Sequence, residues 1–164
     1  MIYVIEVELL GVRPDVPTRA PAVLLREVAD QRRVLPIFIG VYEAEAITLA
    51  LRKVVPPRPL THDLLKSVIE EMGASVERVV ITELRERTFF AELHLRSGAG
   101  PLVISCRPSD SLAVAARVGC KVFVAGAVLE QAGQVPVDEE ETPSELLDEF
   151  RAFIADVNPD DFAS

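Results

Sequence analysis

Two short segments of the sequence combine residue types that bind phosphate and transfer protons. Residues 58–63 read Arg-Pro-Leu-Thr-His-Asp, residues 107–110 read Arg-Pro-Ser-Asp, and an apolar helical pattern follows each. Free N–H groups at a helix start and a guanidinium beside them suit an anion, so the two segments describe two candidate anion sites. The simpler interpretation is that both are ordinary helix starts, with Thr61 and Ser109 as N-caps. That interpretation leaves the paired arginines and His62 unexplained.

The charge of the chain is unevenly distributed. Residues 138–164 hold ten acidic residues and one arginine, and so carry the whole net charge of -9. The rest of the chain is neutral, so nucleic-acid binding would need a local basic patch rather than a generally positive surface. The basic residues that could form one are Arg32, Arg33, Arg52, Lys53 and Arg58.

Hydrophobic periodicity predicts a mixed order of strands and helices. We expect strands at residues 2–10, 22–29, 32–40, 75–84, 88–96, 101–106 and 121–125. We expect helices at residues 41–54, 61–73, 108–119, 126–133 and 145–157. Pro36 predicts an edge position or a bulge for its strand, and Gly73 and Gly119 are expected C-caps.

This order predicts an α+β fold with one compact domain, a mixed β-sheet and packed helices. The domain would occupy residues 1–133, and residues 134–164 would form an acidic linker and an amphipathic C-terminal helix. The apolar face of that helix must dock on the body or on a partner chain, and it consists of Leu146, Leu147, Phe150, Phe153 and Ile154.

Several classes of protein are not indicated. No apolar run approaches the ~18 residues of a membrane span, and the first ten residues contain Glu6 and Glu8, unlike a signal peptide. Cys106 and Cys120 lack CxxC spacing and suggest buried thiols in the cytoplasm. Zinc-ligand spacing, a Gly-rich phosphate loop and a Gly-x-Ser-x-Gly elbow are all missing from the sequence.

Taken in order, these blocks resemble the bifunctional nuclease family (the BFN, or DUF151, domain). The resemblance covers about residues 2–133. It rests on Leu-Pro-Ile-Phe-Ile-Gly at 35–40, on residues 58–63 and on residues 107–110. Between these motifs lie Glu-Ala-Glu-Ala-Ile and Thr-Phe-Phe-Ala-Glu-Leu, which also match. The acidic linker and the final Asn-Pro-Asp-Asp-Phe are similar to the tail of actinobacterial members. The resemblance implies a homo-oligomer, first of all a dimer, and nuclease activity on RNA and DNA as described for plant members.

Carried over onto this sequence, the resemblance indicates a set of site residues. The matching positions are Gly40, Glu43, Arg58, Thr61, His62, Asp63, Arg107, Ser109 and Asp110. Phosphodiester hydrolysis needs proton transfer and stabilisation of phosphate charge. We therefore expect His62, Asp63 and Asp110 to be catalytic, and the substrate to be bound by Arg58, Thr61, Arg107 and Ser109. One or two Mg²⁺ or Mn²⁺ ions could be held by Glu43, Asp63 and Asp110 if the helix starts converge.

Three alternatives stay open. A metal-free ribonuclease with two histidines would need His94, which the strand pattern instead places on a polar sheet face with Glu92 and Arg96. A non-catalytic module would bind a small anionic ligand or a protein partner through the Arg-Pro helix starts. In the third alternative, the acidic tail covers the site of its own or a neighbouring subunit and mimics a polyanionic substrate.

Overall fold

The predicted α+β fold is confirmed. The computed structural model describes residues 2–14, 18–30 and 32–136, so the predicted C-terminal helix lies outside the described residues. The strands are β1 (Val4–Pro14), β2 (Pro21–Glu27), β3 (Val34–Phe38), β4 (Ser75–Arg85), β5 (Thr88–Ser97), β6 (Gly100–Cys106) and β7 (Lys121–Ala125). The helices are α1 (Val41–Leu51), α2 (Thr61–Glu71), α3 (Pro108–Val118) and α4 (Gly126–Ala132). None of the helices among these residues is long and apolar enough to cross a membrane.

One mixed sheet contains all the described strands, in the order β3-β2-β1-β7-β4-β5-β6. The pairing of β4 with β7 is parallel and the other pairings are antiparallel. Because β7 lies between β1 and β4, the last strand in sequence joins two antiparallel groups of three strands. Pro36 lies in β3, at one edge of the sheet, as its missing N–H predicts.

The core lies between one face of the sheet and the helices. Alternate residues of β5 are buried, among them Leu93, as is Ile81 of β4, and α3 covers them with the fully buried Leu112 and Val114. Polar residues alternate with these positions, as is typical of a sheet with one solvated face. The ion pair between Lys121 and Glu6, 3.0 Å long, crosses that polar side.

Both predicted N-caps are wrong by one or two residues. The N-cap of α2 is Leu60, and Thr61 is the exposed first residue of the helix. The N-cap of α3 is Arg107, because Pro108 has the fixed φ that suits the first helical position, and Ser109 is buried within the helix. Neither helix start has a hydrogen bond from a Thr or Ser cap among the described residues.

The predicted helix ends agree better with the structure. Gly119 is the C-cap of α3 and has a left-handed φ of +74°. In α2 the C-cap is Met72, and Gly73 follows it, also with a φ of +74°. Glycine adopts this backbone conformation without the steric cost that a Cβ adds.

Candidate functional site

A chain of polar contacts joins the starts of α1, α2 and α3. His62 Nε2 of α2 lies 3.0 Å from Asp110 Oδ1 of α3. Asp110 accepts two hydrogen bonds from Arg107, from Nε at 2.7 Å and from a terminal nitrogen at 3.1 Å. The same guanidinium lies 3.1 Å from Glu43 Oε1 of α1. Glu43, Arg107, Asp110 and His62 are called the helix-start cluster below.

Local backbone geometry places the acidic members of this cluster. Glu43 and Asp110 both occupy the third residue of a helix, where a carboxylate is favoured by the helix dipole. The Glu43 carboxylate folds back over Gly40, and a Cβ at Gly40 would overlap its Oε2. A glycine before α1 therefore leaves room for the carboxylate that receives Arg107.

The electrostatic environment keeps Asp110 ionised. Burial alone would raise the pKa of its carboxyl, but the hydrogen bonds from Arg107 and His62 outweigh burial and hold that pKa below its usual 3.8. An ionised carboxylate can only accept, so it favours the histidine tautomer that carries its proton on Nε2. The Nδ1 atom of His62 is then the ring nitrogen able to take up a proton.

Asp63 lies in a different set of contacts. Its Oδ1 accepts a hydrogen bond from Arg117 Nε at 2.6 Å, and its Oδ2 accepts one from the Leu60 N–H at 2.9 Å. The Arg117 side chain is only 7% exposed, and it also donates to the carbonyl oxygens of Ala46 and Ala113. Asp63 thus attaches α2 to α3 at a second point. Sequence reasoning missed Arg117, because a basic residue in the last turn of a helix is ordinary.

The predicted metal ligands do not assemble into one site. Within residues 2–14, 18–30 and 32–136, no group of three or more His, Cys, Asp or Glu residues is placed to hold a metal ion. Glu43 and Asp110 share the charge of Arg107, whereas Asp63 pairs with Arg117. These carboxylates therefore fit arginine partners better than they fit a shared divalent cation.

The other predicted substrate-binding residues differ in exposure. Arg58 is exposed and makes no hydrogen bond or ion pair with any other residue that the structure describes. Thr61 is exposed on the first turn of α2, whereas Ser109 is only 7% exposed. Of these three residues, Arg58 is the one with a free cationic group.

His94 lies apart from the helix-start cluster. Its Nε2 is 3.0 Å from Glu92 Oε2, and its strand neighbours Leu93 and Leu95 are buried against the helices. This placement agrees with the expected polar sheet face and separates the two histidines. The structure therefore offers no two-histidine site.

A groove of about 700 Å³ lies beside Asp63, and none of the four residues of the helix-start cluster lines it. The end of α1, residues 53–59, α2 and the end of α3 form its walls. Asp63 and Arg117 line it, together with apolar residues and two lysines, Lys53 and Lys66.

Comparison with known proteins identifies the family. The family model of the bifunctional nuclease domain matches residues 23–136. An uncharacterized protein of Mycobacterium tuberculosis is 45% identical over 163 residues, covering 96% of this chain and 97% of that protein. Bifunctional nuclease 2 of Oryza sativa subsp. japonica is 30% identical over 113 residues, 66% of this chain but 34% of that protein. Bifunctional nuclease 1 of Arabidopsis thaliana is 29% identical over 105 residues, 62% of this chain and 32% of that protein. The chain is thus a member of the bifunctional nuclease domain family, and it spans about a third of the length of these plant relatives.

Proposed function

We propose that this protein is a nuclease that hydrolyses phosphodiester bonds of RNA and DNA, with His62 as its proton-transfer group. The observation that carries this proposal is the 3.0 Å contact between His62 Nε2 and Asp110 Oδ1 across two helix starts. Membership of the family and the names of the plant relatives support the class of reaction.

In the proposed reaction, His62 Nδ1 removes a proton from the attacking water. Asp110 holds the ring through Nε2 and stabilises the imidazolium that forms, as the carboxylate does in a catalytic triad. The same proton can then pass to the leaving oxygen. Because water is the nucleophile, the reaction needs no 2′-hydroxyl and serves both RNA and DNA. General acid–base catalysis of this kind contributes roughly 10²–10⁴-fold to a rate.

The cationic groups of this mechanism are arginines. Arg58 precedes α2 and is free to bind a phosphate oxygen, and Arg107 stands 2.7 Å from the carboxylate that orients His62. A planar guanidinium can donate two parallel hydrogen bonds to two oxygens of one phosphate group. Divalent metal dependence was expected, but the arginine-paired carboxylates do not fit a three-carboxylate metal site, so no step is assigned to a metal ion here.

The test is an activity assay on single-stranded RNA and DNA with the purified protein, in Mg²⁺, Mn²⁺ or EDTA. We expect His62→Ala to lower the rate by at least about 10²-fold, because the proton-transfer group is removed. His94→Ala is the matched control, since each histidine has a carboxylate partner at 3.0 Å. An equal rate in the two variants would contradict the proposal. Full activity in EDTA would show that the hydrolysis needs no divalent metal ion.

A binding module remains the second candidate, favoured by the free guanidinium of Arg58. Against it, Glu43, Asp63 and Asp110 already place a carboxylate at each of the three helix starts. Absence of hydrolysis in the wild-type protein, with binding of inorganic phosphate that Arg58→Ala abolishes, would favour this candidate over the nuclease.

A further inference from the structure

The α2 helix exposes a stripe of apolar side chains. Leu64, Val68 and Met72 are spaced four residues apart, which places them on one face, and they are 56%, 44% and 78% exposed. Leu65 beside them is 39% exposed, and Ile69 is the helix residue that is buried. Such a stripe on a helix usually packs against another element.

This stripe adjoins the groove of about 700 Å³ described above, whose walls include part of α2. The groove contributes further exposed apolar residues from the end of α1 and the segment after it, namely Leu51, Val54 and Val55. On α2 the groove is lined by polar residues, among them Ser67, which lies one helical turn after Leu64 of the stripe. The stripe and the groove are together called the α2 surface below, and exposed apolar residues grouped in this way are typical of an interaction site.

The charges around the α2 surface indicate the chemistry of its partner. Lys53 and Lys66 line the groove, and the neighbouring Arg52 is exposed. Asp63 in the groove pairs with Arg117, and Glu70 pairs with Lys66 at 3.8 Å, so Lys53 and Arg52 carry the remaining positive charge. An apolar segment with acidic residues on its other face therefore complements this surface.

The chain itself contains such a segment. Residues 145–157 have the amphipathic pattern, with Leu146, Phe150 and Phe153 among their apolar positions, and with four acidic residues and one arginine among the others. We propose that residues 145–157 dock on the α2 surface of the same molecule, with their apolar face in the groove and their acidic face toward the lysines.

Chain length allows this docking within one molecule. Gln134 is held to Val34 by backbone hydrogen bonds, and nine residues separate Pro136 from Leu146. An extended segment of that length reaches about 30 Å. A compact domain of this size has a radius of gyration of about 14 Å, so the segment can reach the helical side without a second copy.

A single fluorescent probe tests the proposal, because the sequence contains no tryptophan. Phe150→Trp in the full chain places the probe on the apolar face of the segment. If the segment docks, the emission is that of a buried indole, and adding Val68→Asp shifts its maximum to longer wavelength. The matched control is Val28→Asp, since Val28 is 45% exposed and Val68 is 44% exposed. The control is expected to leave the emission unchanged.

A second variant keeps the test valid if Val68→Asp disturbs the fold in circular dichroism. Lys53→Glu with Lys66→Glu changes one exposed and one half-exposed side chain, and it is expected to shift the emission in the same direction at low salt. Emission of a solvent-exposed indole in the Phe150→Trp protein would overturn the proposal. So would emission that neither variant changes. A shift that appears on dilution would also overturn it, because it would assign the surface to a second copy of the chain.

Discussion

At the scale of single residues, two aspartates with the same position in their helices have different roles. Asp63 and Asp110 are each the third residue of a helix, and each accepts a hydrogen bond from an arginine. Asp110 also contacts His62, whereas Asp63 accepts a hydrogen bond from the Leu60 backbone N–H. Asp110 therefore orients His62 in the proposed reaction, and Asp63 holds α2 in place.

The pH dependence of stability should reveal this role of Asp63. Burial alone would raise the pKa of its carboxyl, but hydrogen bonds from Arg117 and the Leu60 N–H bring it below 3.8 in the folded protein. A lowered pKa stabilises the fold above the unfolded value, and this stabilisation is lost as the pH falls below about 3.8. We therefore expect Asp63→Asn to be less stable at pH 7 and to lose less stability on acidification than the wild type.

The measurement is urea unfolding at pH 7, 5 and 3.5. Glu70→Gln serves as the control, because Glu70 forms an exposed pair with Lys66 at 3.8 Å, and such pairs contribute little. Parallel stability curves for the wild type and Asp63→Asn between pH 5 and 3.5 would contradict the assigned role.

At the scale of elements, two contacts fix α2 against α3. His62 meets Asp110 at the start of α3, and Asp63 meets Arg117 near its end. Arg117 also donates to carbonyl oxygens of α1 and of α3 itself, so one guanidinium connects three helices. The position of His62 thus depends on a residue outside the helix-start cluster.

Removing the Arg117 guanidinium should destabilise the protein. We expect Arg117→Met to lower the free energy of unfolding by about 1.5–3 kcal/mol, because it leaves the half-buried Asp63 Oδ1 without its charged donor and removes two further hydrogen bonds to helix carbonyl oxygens. Lys66→Met is the control, with an expected change within about 0.5 kcal/mol. Urea unfolding at pH 7 gives both values. Equal values for the two variants would show that Arg117 does not hold the helices together.

At the scale of the whole molecule, the two edges of the sheet differ. The β3 edge carries Pro36, and its first residue already pairs with Gln134. The β6 edge has no charged residue, and Leu102, Val103 and Ile104 are 48%, 55% and 47% exposed. An apolar edge strand without charges invites pairing with another strand. The homo-oligomer implied by the family resemblance stays a prediction, and we expect β6 to be its contact.

A charge on this edge should weaken such an assembly. We expect Val103→Lys to shift the protein toward the monomer, because two copies of β6 would bring two lysines together in a desolvated contact. Light scattering after size-exclusion chromatography measures the mass, and Val28→Lys provides a control of similar exposure. An oligomer of unchanged mass in Val103→Lys would exclude β6 as the contact.

Local sequence patterns were enough to predict the helices, the strands and the class of fold. Apolar periodicity located the described strands and helices, Pro36 marked an edge strand, and Gly119 marked a helix end. These features follow from local rules, in which side-chain spacing and backbone freedom act over a few residues. Even so, the N-caps were misplaced, because Pro108 at the first helical position moves the cap to Arg107.

Which polar residues contact each other depends on how the helices pack. The contact of His62 with Asp110 spans 48 positions, and that of Asp63 with Arg117 spans 54. Both aspartates follow the same local pattern, so no spacing rule separates them. The packing of α1 and α2 on α3 selects their partners, and it brings each of these carboxylates to an arginine.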